Sequence, residues 1–156
     1  MADLTQAPRY LVVGHITRDL IPGGHYRLGG TATYAALAAH RLGLTVGVLT
    51  SGGSDIEPPP LDSLSVHRCP SAESTVFENI YTDQGRQQFI RGVASVLEPA
   101  DIPPSWHAAP IVHLGPVAQE VSPALAEAFP GALIGVTPQG WLRRWNGQGL
   151  VSPTEW

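Results

Sequence analysis

The hydrophobic residues of the chain are grouped in short runs that turn-forming residues separate. Residues 10–13 form a β-rich apolar run that ends at a glycine and predicts a buried strand, and residues 45–50 predict a second one. Between them, residues 31–42 are rich in alanine, and this segment predicts a helix with Thr31 as its N-cap and Gly43 directly after its end. The order strand, helix, strand is typical of a parallel βαβ unit.

The middle of the chain has a different pattern. Residues 74–92 alternate in character around a turn at 83–85, which predicts a β-hairpin. Phe77, Asn79 and Tyr81 share one face of its first arm, and Ile80 lies on the other. Because a hairpin with apolar residues on both faces needs cover on both sides, we expect a small antiparallel flap outside the parallel core.

The last third returns to the core pattern. Residues 109–115 and 131–137 predict two more buried strands, and residues 122–129 predict a short helix. About four parallel strands with so few helices leave one face of the sheet uncovered. We therefore expect the missing cover to come from another chain or from a longer protein, with Trp141 and Trp145 packing against it.

Composition narrows the class of protein. The chain has 156 residues, a formal net charge of -4, 43% hydrophobic and 14% charged residues, which fits one globular domain and argues against a disordered or coiled-coil protein. The negative balance gives no reason to expect nucleic acid or a membrane as partner. The single cysteine, Cys69, and the lack of a signal-like N-terminus favour a cytoplasmic protein.

The adjacent Gly29 and Gly30 stand directly before the predicted helix. They form either a plain turn or a site where a ligand approaches the unpaired N–H groups of a helix N-terminus. The sequence contains neither the P-loop motif nor the dinucleotide-binding glycine pattern after the first strand. Asp19 follows the first strand, and a carboxylate together with helix N–H groups suits a ligand with several hydroxyls.

These motifs, "YLVVGHITRD", "LGGTATYAALAAHRLG", "TVGVLTSGG" and "STVFENIYTDQGRQQF", resemble the N-terminal half of the ribokinase-like (PfkB) carbohydrate kinases. The resemblance implies an α/β fold: a mostly parallel sheet flanked by helices, with a small antiparallel β lid and without the C-terminal part of the fold. It also implies one partial domain over residues 1–156, with core segments at about 8–53 and 108–156. The lid segments are expected at about 20–30 and 64–97.

The resemblance also assigns candidate substrate-binding residues. Asp19 matches the aspartate that binds substrate hydroxyls, and Glu120 stands where the family has an acidic residue near the substrate. Thr17 and Tyr34 replace asparagines that the family often has, which favours a divergent subgroup, such as one acting on a cyclitol like inositol. His15 directly follows the first strand and is a candidate donor to the ligand. The full set of candidates is His15, Thr17, Asp19, Gly29, Gly30, Tyr34, Phe77, Asn79, Tyr81 and Glu120.

The implied function is the substrate-binding half of an ATP-dependent kinase that phosphorylates a hydroxyl of a sugar, cyclitol or nucleoside. The family's Gly-Ala-Gly-Asp motif, which supplies the catalytic base, is not in the sequence. We therefore predict no catalytic residue in this chain, no activity of the chain alone, and ATP and Mg²⁺ use only by a complete enzyme. The lid is expected to pair two copies into a homodimer. The alternative is a non-catalytic polyol-binding or interaction module.

Six histidines raise the question of a metal site. His15, His25 and His113 are expected near one end of the sheet, but there is no paired-histidine spacing and no second cysteine. We therefore predict no metal site.

Overall fold

The computed structural model describes residues 4–56 and 64–155. The strands are β1 (Tyr10–Val13), β2 (Thr17–Ile21), β3 (His25–Gly29), β4 (Val46–Gly52), β5 (Leu64–Pro70), β6 (Val76–Thr82), β7 (Gly85–Gly92), β8 (Ile111–Leu114), β9 (Leu133–Val136), β10 (Arg143–Trp145) and β11 (Val151–Pro153), and the α-helix is α1 (Gly30–Arg41). Single 3-10 turns lie at Pro99–Asp101, Pro104–Ala108, Pro123–Ala128 and Pro138–Gly140.

The core is a five-stranded parallel sheet in the order β5-β4-β1-β8-β9. The predicted α/β class and all four predicted core strands are confirmed. The core also contains β5, because Leu64–Pro70 pairs with all seven residues of β4. The sequence analysis had placed these residues at the start of the second lid segment, at about 64–97. As an edge strand, β5 is only partly buried. Its polar residues interrupt it, so it lacks the continuous apolar run that predicts the neighbouring strands.

Both faces of the central strands β1 and β4 are covered by the chain itself. On one face α1 packs Ala32, Ala36 and Ala39 against the strands. On the other face, where the sequence analysis expected no cover, the 3-10 segments supply a cluster around the fully buried Trp106. Each of these segments begins with proline, whose fixed φ suits the first position of a helical turn. The short helix predicted at residues 122–129 is one of these segments, Pro123–Ala128, whereas the two shorter segments leave no helical periodicity in the sequence.

The start of α1 differs from its prediction. The N-cap is Gly29 rather than Thr31, and it offers no side-chain cap. The predicted end is confirmed: Gly43 has a φ of 82°, its N–H donates to His40 O, and the N–H of Leu44 donates to Ala39 O. These two bonds form the Schellman motif, which glycine favours because the backbone there is left-handed.

A four-stranded sheet, in the order β3-β2-β6-β7, forms the predicted lid. Two antiparallel hairpins are joined by the parallel pair of β2 and β6. The hairpin predicted around 83–85 is confirmed, since Thr82 pairs with Gly85 across a two-residue turn. The lid therefore begins at Thr17, close to the end of β1.

The last described segment is a small antiparallel hairpin of β10 and β11. The sequence analysis did not predict it and expected Trp141 and Trp145 to pack against a cover from outside this chain. Instead, the indole N–H of Trp141 donates to Val121 O at 2.8 Å, and Trp145 packs against the cluster that contains Phe77. The edge strand β9 was expected to be buried, but its Leu133 is 69% exposed. Of the helices in the described ranges, none has the length and apolar character needed to cross a membrane.

Candidate functional site

A cavity of about 370 Å³ lies between the start of α1, the inner face of the lid and the segment that follows β9. Ligands of open α/β sheets generally bind beyond the carboxyl ends of the strands, which is where this cavity lies. Its lining residues are Thr17, Asp19, Gly30, Thr31, Tyr34, Ala35, Phe77, Asn79, Arg86, Gln88, Val117, Gln139 and Arg143.

Asp19 is held at the cavity by its neighbours on β2 and β3. The hydroxyl of Thr17 donates to Asp19 Oδ1 at 2.9 Å. Gly29 lies against the same carboxylate, and a methyl group added at Gly29 would overlap it. Gly29 is therefore not a lining residue, and its missing side chain leaves the space that the Asp19 carboxylate occupies.

Gly30 opens α1 at the edge of the cavity. Its φ of 87° is left-handed, and a Cβ there would overlap the backbone oxygen of His15, so that a larger residue does not fit. The first turn of α1 has no side-chain cap and no acidic residue. Its N–H groups and the positive end of the helix dipole are therefore available to a ligand in the cavity.

The inner face of the lid supplies a polar wall. Phe77 is buried beneath it, and on the paired strands the side-chain amide of Gln88 donates to Asn79 Oδ1 at 3.0 Å. Because side chains alternate along a strand, Phe77 and Asn79 share the inner face, as the sequence pattern predicted. Tyr81 is 77% exposed and is not among the lining residues.

Arg143 lines the cavity, although no motif in the sequence analysis points to it. Its Nη1 donates to Val117 O at 2.9 Å, its Nη2 donates to Gln139 Oε1 at 3.1 Å, and its guanidinium lies 5.5 Å from the centre of the Phe77 ring. Burial lowers the pKa of Arg143, and the charge of Arg86 lowers it further. The feature of the sequence that could have located Arg143 is the alternation of side chains along β10, which places Arg143 and Arg144 on opposite faces.

His15 and Glu120 were candidate ligand-binding residues, but both are fully buried behind the cavity. The carboxylate of Glu120 accepts backbone N–H bonds from His15, Val117 and Ala118. The ring of His15 bonds to the hydroxyl of Thr75 at 2.6 Å and to the carbonyl of Ser95 at 3.0 Å. These two residues connect the loops after β1 and β8, and the polar atoms of their side chains are bonded to protein groups.

Two further histidines, His113 and His25, are not among the residues that line the cavity. His113 bonds to the hydroxyls of Tyr10 and Thr137, and His25 is exposed on β3. Within residues 4–56 and 64–155, no group of three or more histidine, cysteine, aspartate or glutamate side chains is placed to hold a metal ion. Burial raises the pKa of the Cys69 thiol to about 11, which keeps it protonated and unreactive at neutral pH.

The fold agrees with solved structures of ribokinase-family kinases. The chain is 21% identical, with a TM-score of 0.73, to a pyrophosphate-dependent kinase of that family solved with a pyrophosphate analog and myo-inositol; the match covers 90% of this chain and 53% of that one. It is 18% identical, with a TM-score of 0.61, to the ribokinase of Arabidopsis thaliana solved with ribose and ATP, covering 84% and 53% of the two chains. A nucleoside kinase of Methanocaldococcus jannaschii matches at 17% identity and a TM-score of 0.60, covering 88% and 55%.

The chain therefore has the ribokinase-like fold, as its sequence motifs predicted. It spans about half the length of the solved structures that it matches. No family model matches the sequence, and neither does any curated protein.

Proposed function

We propose that this chain binds a small polyol in the cavity and that it forms the substrate-binding part of a cytoplasmic kinase that phosphorylates one of the polyol's hydroxyls. The observation that carries the proposal is the convergence of three kinds of hydroxyl-binding groups on one space. These are the carboxylate of Asp19, the N–H groups at the start of α1, and the amides of Asn79 and Gln88.

Each group has a separate role in this proposal. The carboxylate of Asp19 accepts hydrogen bonds from ligand hydroxyls, because the hydroxyl of Thr17 fills only one of its acceptor positions. The N–H groups beyond Gly30 donate to ligand oxygens. The amides of Asn79 and Gln88 can donate and accept, and they discriminate among polyols by the placement of their hydroxyls.

A cyclitol is the first substrate class to test. Two observations favour it over ribose: Tyr34 lines the cavity where the related motif often has asparagine, and one matching kinase was solved with myo-inositol. A nucleoside remains the second class, on the strength of the matching nucleoside kinase. Ring hydroxyls of either class fit the donors and acceptors of this cavity.

The donor side of the reaction belongs to the complete protein. Matching kinases were solved with ATP or are pyrophosphate-dependent, so we propose one of these as the phosphoryl donor. Within the described residues, no group of three or more histidine, cysteine, aspartate or glutamate side chains is placed to hold a metal ion, and we place no step of the transfer there. We expect the 156-residue chain to bind a polyol without phosphorylating it, and turnover by this chain would contradict that expectation.

Titration calorimetry on the 156-residue protein tests the proposal with myo-inositol, ribose and adenosine. We expect Asp19→Asn to weaken binding of the best ligand by about 10- to 100-fold, because a charged hydrogen bond contributes roughly 1.5–3 kcal/mol. Asp83→Asn, in the exposed hairpin turn, is the matched control and leaves binding unchanged. Equal binding of the best ligand by Asp19→Asn would overturn the proposal, and so would the failure of every polyol tested, neutral or anionic, to bind the folded protein.

We also propose that the outer face of the lid pairs two copies of the chain. Ile80 and Tyr26 are each 38% exposed on that face. Light scattering should give the mass of a dimer for the wild-type protein and of a monomer for Ile80→Glu. A monomeric wild-type protein would contradict this part of the proposal.

A further inference from the structure

The cavity has a positive side that hydroxyl binding does not explain. Arg86 and Arg143 both line it, and Asp19 is the sole carboxylate among the lining residues. The start of α1 adds the positive end of a helix dipole to the same space. The charges at the cavity therefore favour a ligand that carries negative charge.

Neither arginine has a carboxylate partner within ion-pair distance in the described part of the chain. The arginine ion pairs found there are Arg18 with Asp55 and Arg91 with Glu78. Arg143 instead donates to two neutral oxygens, those of Val117 and Gln139. These two bonds and the Phe77 ring fix the guanidinium in place and leave donors of its planar fork unused.

Both guanidinium groups line the same cavity, and the charge of Arg86 adds to the effect of burial in lowering the pKa of Arg143, while the carboxylates of Glu120 and Asp19 act in the opposite direction. Like charges that face one water-filled space are unfavourable unless an anion lies between them. A carboxylate or a phosphate fits the forked geometry of arginine and forms two parallel hydrogen bonds with it. A polyol without an acidic group would leave this repulsion in place.

We propose that the polyol bound in this cavity carries an anionic group, a carboxylate or a phosphate, which Arg143 and Arg86 bind while Asp19 binds the hydroxyls. The inference rests on the proposed function and narrows its substrate class to sugar acids and phosphorylated polyols. Arg143 is the fixed contact, because it is held by two hydrogen bonds. Arg86 is exposed on β7 and adds a weaker, more solvated one.

Paired ligands separate the anionic group from the hydroxyls. We would measure binding of gluconate against glucitol, and of myo-inositol 1-phosphate against myo-inositol, by titration calorimetry on the 156-residue protein at low ionic strength. Inorganic phosphate and pyrophosphate are titrated alone. We expect the anionic member of at least one pair to bind about 10-fold or more tightly than its neutral partner, as a charged hydrogen-bonded pair provides. The pair with the larger ratio identifies carboxylate or phosphate.

Three substitutions connect that ratio to the two arginines. Arg143→Gln should reduce the anionic preference to about 1, and Arg86→Gln should reduce it by a smaller factor. Arg144→Gln is the control, because Arg144 lies on the other face of β10 and its Nε bonds to the hydroxyl of Ser152 at 3.4 Å. Where Arg143→Gln unfolds, the exposed position of Arg86 still gives a folded variant that decides the question.

The outcomes are distinct. Equal binding of anionic and neutral partners would overturn the inference and leave the proposed function standing. Tight binding of phosphate or pyrophosphate alone, with no gain from an attached polyol, would assign the arginines to the phosphoryl donor and would also overturn it. Failure of every polyol, neutral or anionic, would overturn the proposed function together with the inference.

Discussion

Two polar clusters lie beyond the carboxyl ends of the parallel strands, and they differ in how their polar atoms are used. In the closed cluster, His15 and Glu120 are fully buried and bonded to the surrounding protein. In the open cluster, Asp19 and Arg143 face a cavity with bonding capacity left over. The same kinds of side chain thus stabilise the fold in one place and are available to a ligand in the other.

The number of hydrogen-bond partners, and not the residue type, separates these two roles. A buried carboxylate that accepts several N–H bonds contributes to stability, because its removal leaves those donors unpaired. A carboxylate with free acceptor positions at a cavity contributes little to folding. Substitutions in the closed cluster should therefore change stability, and those in the open cluster should change binding.

The largest effect is expected from Glu120→Ala. This substitution leaves the buried N–H groups of His15, Val117 and Ala118 without an acceptor, so the free energy of unfolding should fall by about 3 kcal/mol or more. Urea denaturation measures it. Glu127→Ala, at an exposed position of the neighbouring 3-10 turn, should stay within about 0.5 kcal/mol of wild type. A loss below about 1 kcal/mol for Glu120→Ala would contradict the stabilising role of the closed cluster.

Substitutions at the adjacent Gly29 and Gly30 should have different effects, one mainly on polyol binding and the other mainly on stability. Gly30→Ala places a methyl group against the backbone oxygen of His15 at a left-handed φ, so we expect about 2 kcal/mol or more of destabilisation. Gly29→Ala meets only the movable Asp19 carboxylate and has no left-handed φ. It should displace that side chain and weaken polyol binding by about 10-fold, with a smaller loss of stability. Equal losses of stability would argue against this division.

His15 should make stability depend on pH. Burial lowers the pKa of His15 in the folded protein, against opposing effects of the Glu120 charge and the Ser95 carbonyl. The unfolded chain therefore takes up a proton at a higher pH than the folded one, and stability falls as the pH drops below about 6.5. Between pH 7.5 and 5.5 we expect a loss of about 1 kcal/mol that is smaller in His15→Gln and unchanged in the exposed control His25→Gln. An identical pH profile for His15→Gln would contradict this.

The smallest change in stability is expected from Asp19→Asn. Only the hydrogen bond from Thr17 is altered, so the free energy of unfolding should change by less than about 1 kcal/mol. Thermal denaturation measures this change alongside the calorimetric loss of binding. A large destabilisation would place Asp19 with His15 and Glu120 as a structural residue.

The sequence predicted the parallel core and the lid hairpin because both have strong local patterns. Continuous apolar runs predict β1 and β4, alternation predicts β6 and β7, and Gly43 marks the end of α1. It did not predict β5, the cover by the 3-10 turns at Pro99–Asp101 and Pro104–Ala108, or the hairpin of β10 and β11. These elements depend on pairing and packing between distant segments, and such contacts leave no periodicity in the chain.

The candidate site was predicted in part for the same reason. Asp19, Gly30 and Asn79 lie at strand and helix positions that local motifs define, and they line the cavity. Arg143 comes from a segment more than 100 residues away from Asp19, and no local pattern connects the two. Glu120 has the chemistry expected of a ligand-binding residue, yet it is surrounded by backbone N–H groups that a sequence does not reveal.

A titration of ¹⁵N-labelled protein with myo-inositol and gluconate, followed by amide chemical shifts, shows whether the cavity at the start of α1 is the polyol site. We expect saturable shifts centred on Gly30, Thr31, Asn79 and Gln88, which disappear in Asp19→Asn. Shifts centred elsewhere, or none at millimolar ligand, would contradict this expectation.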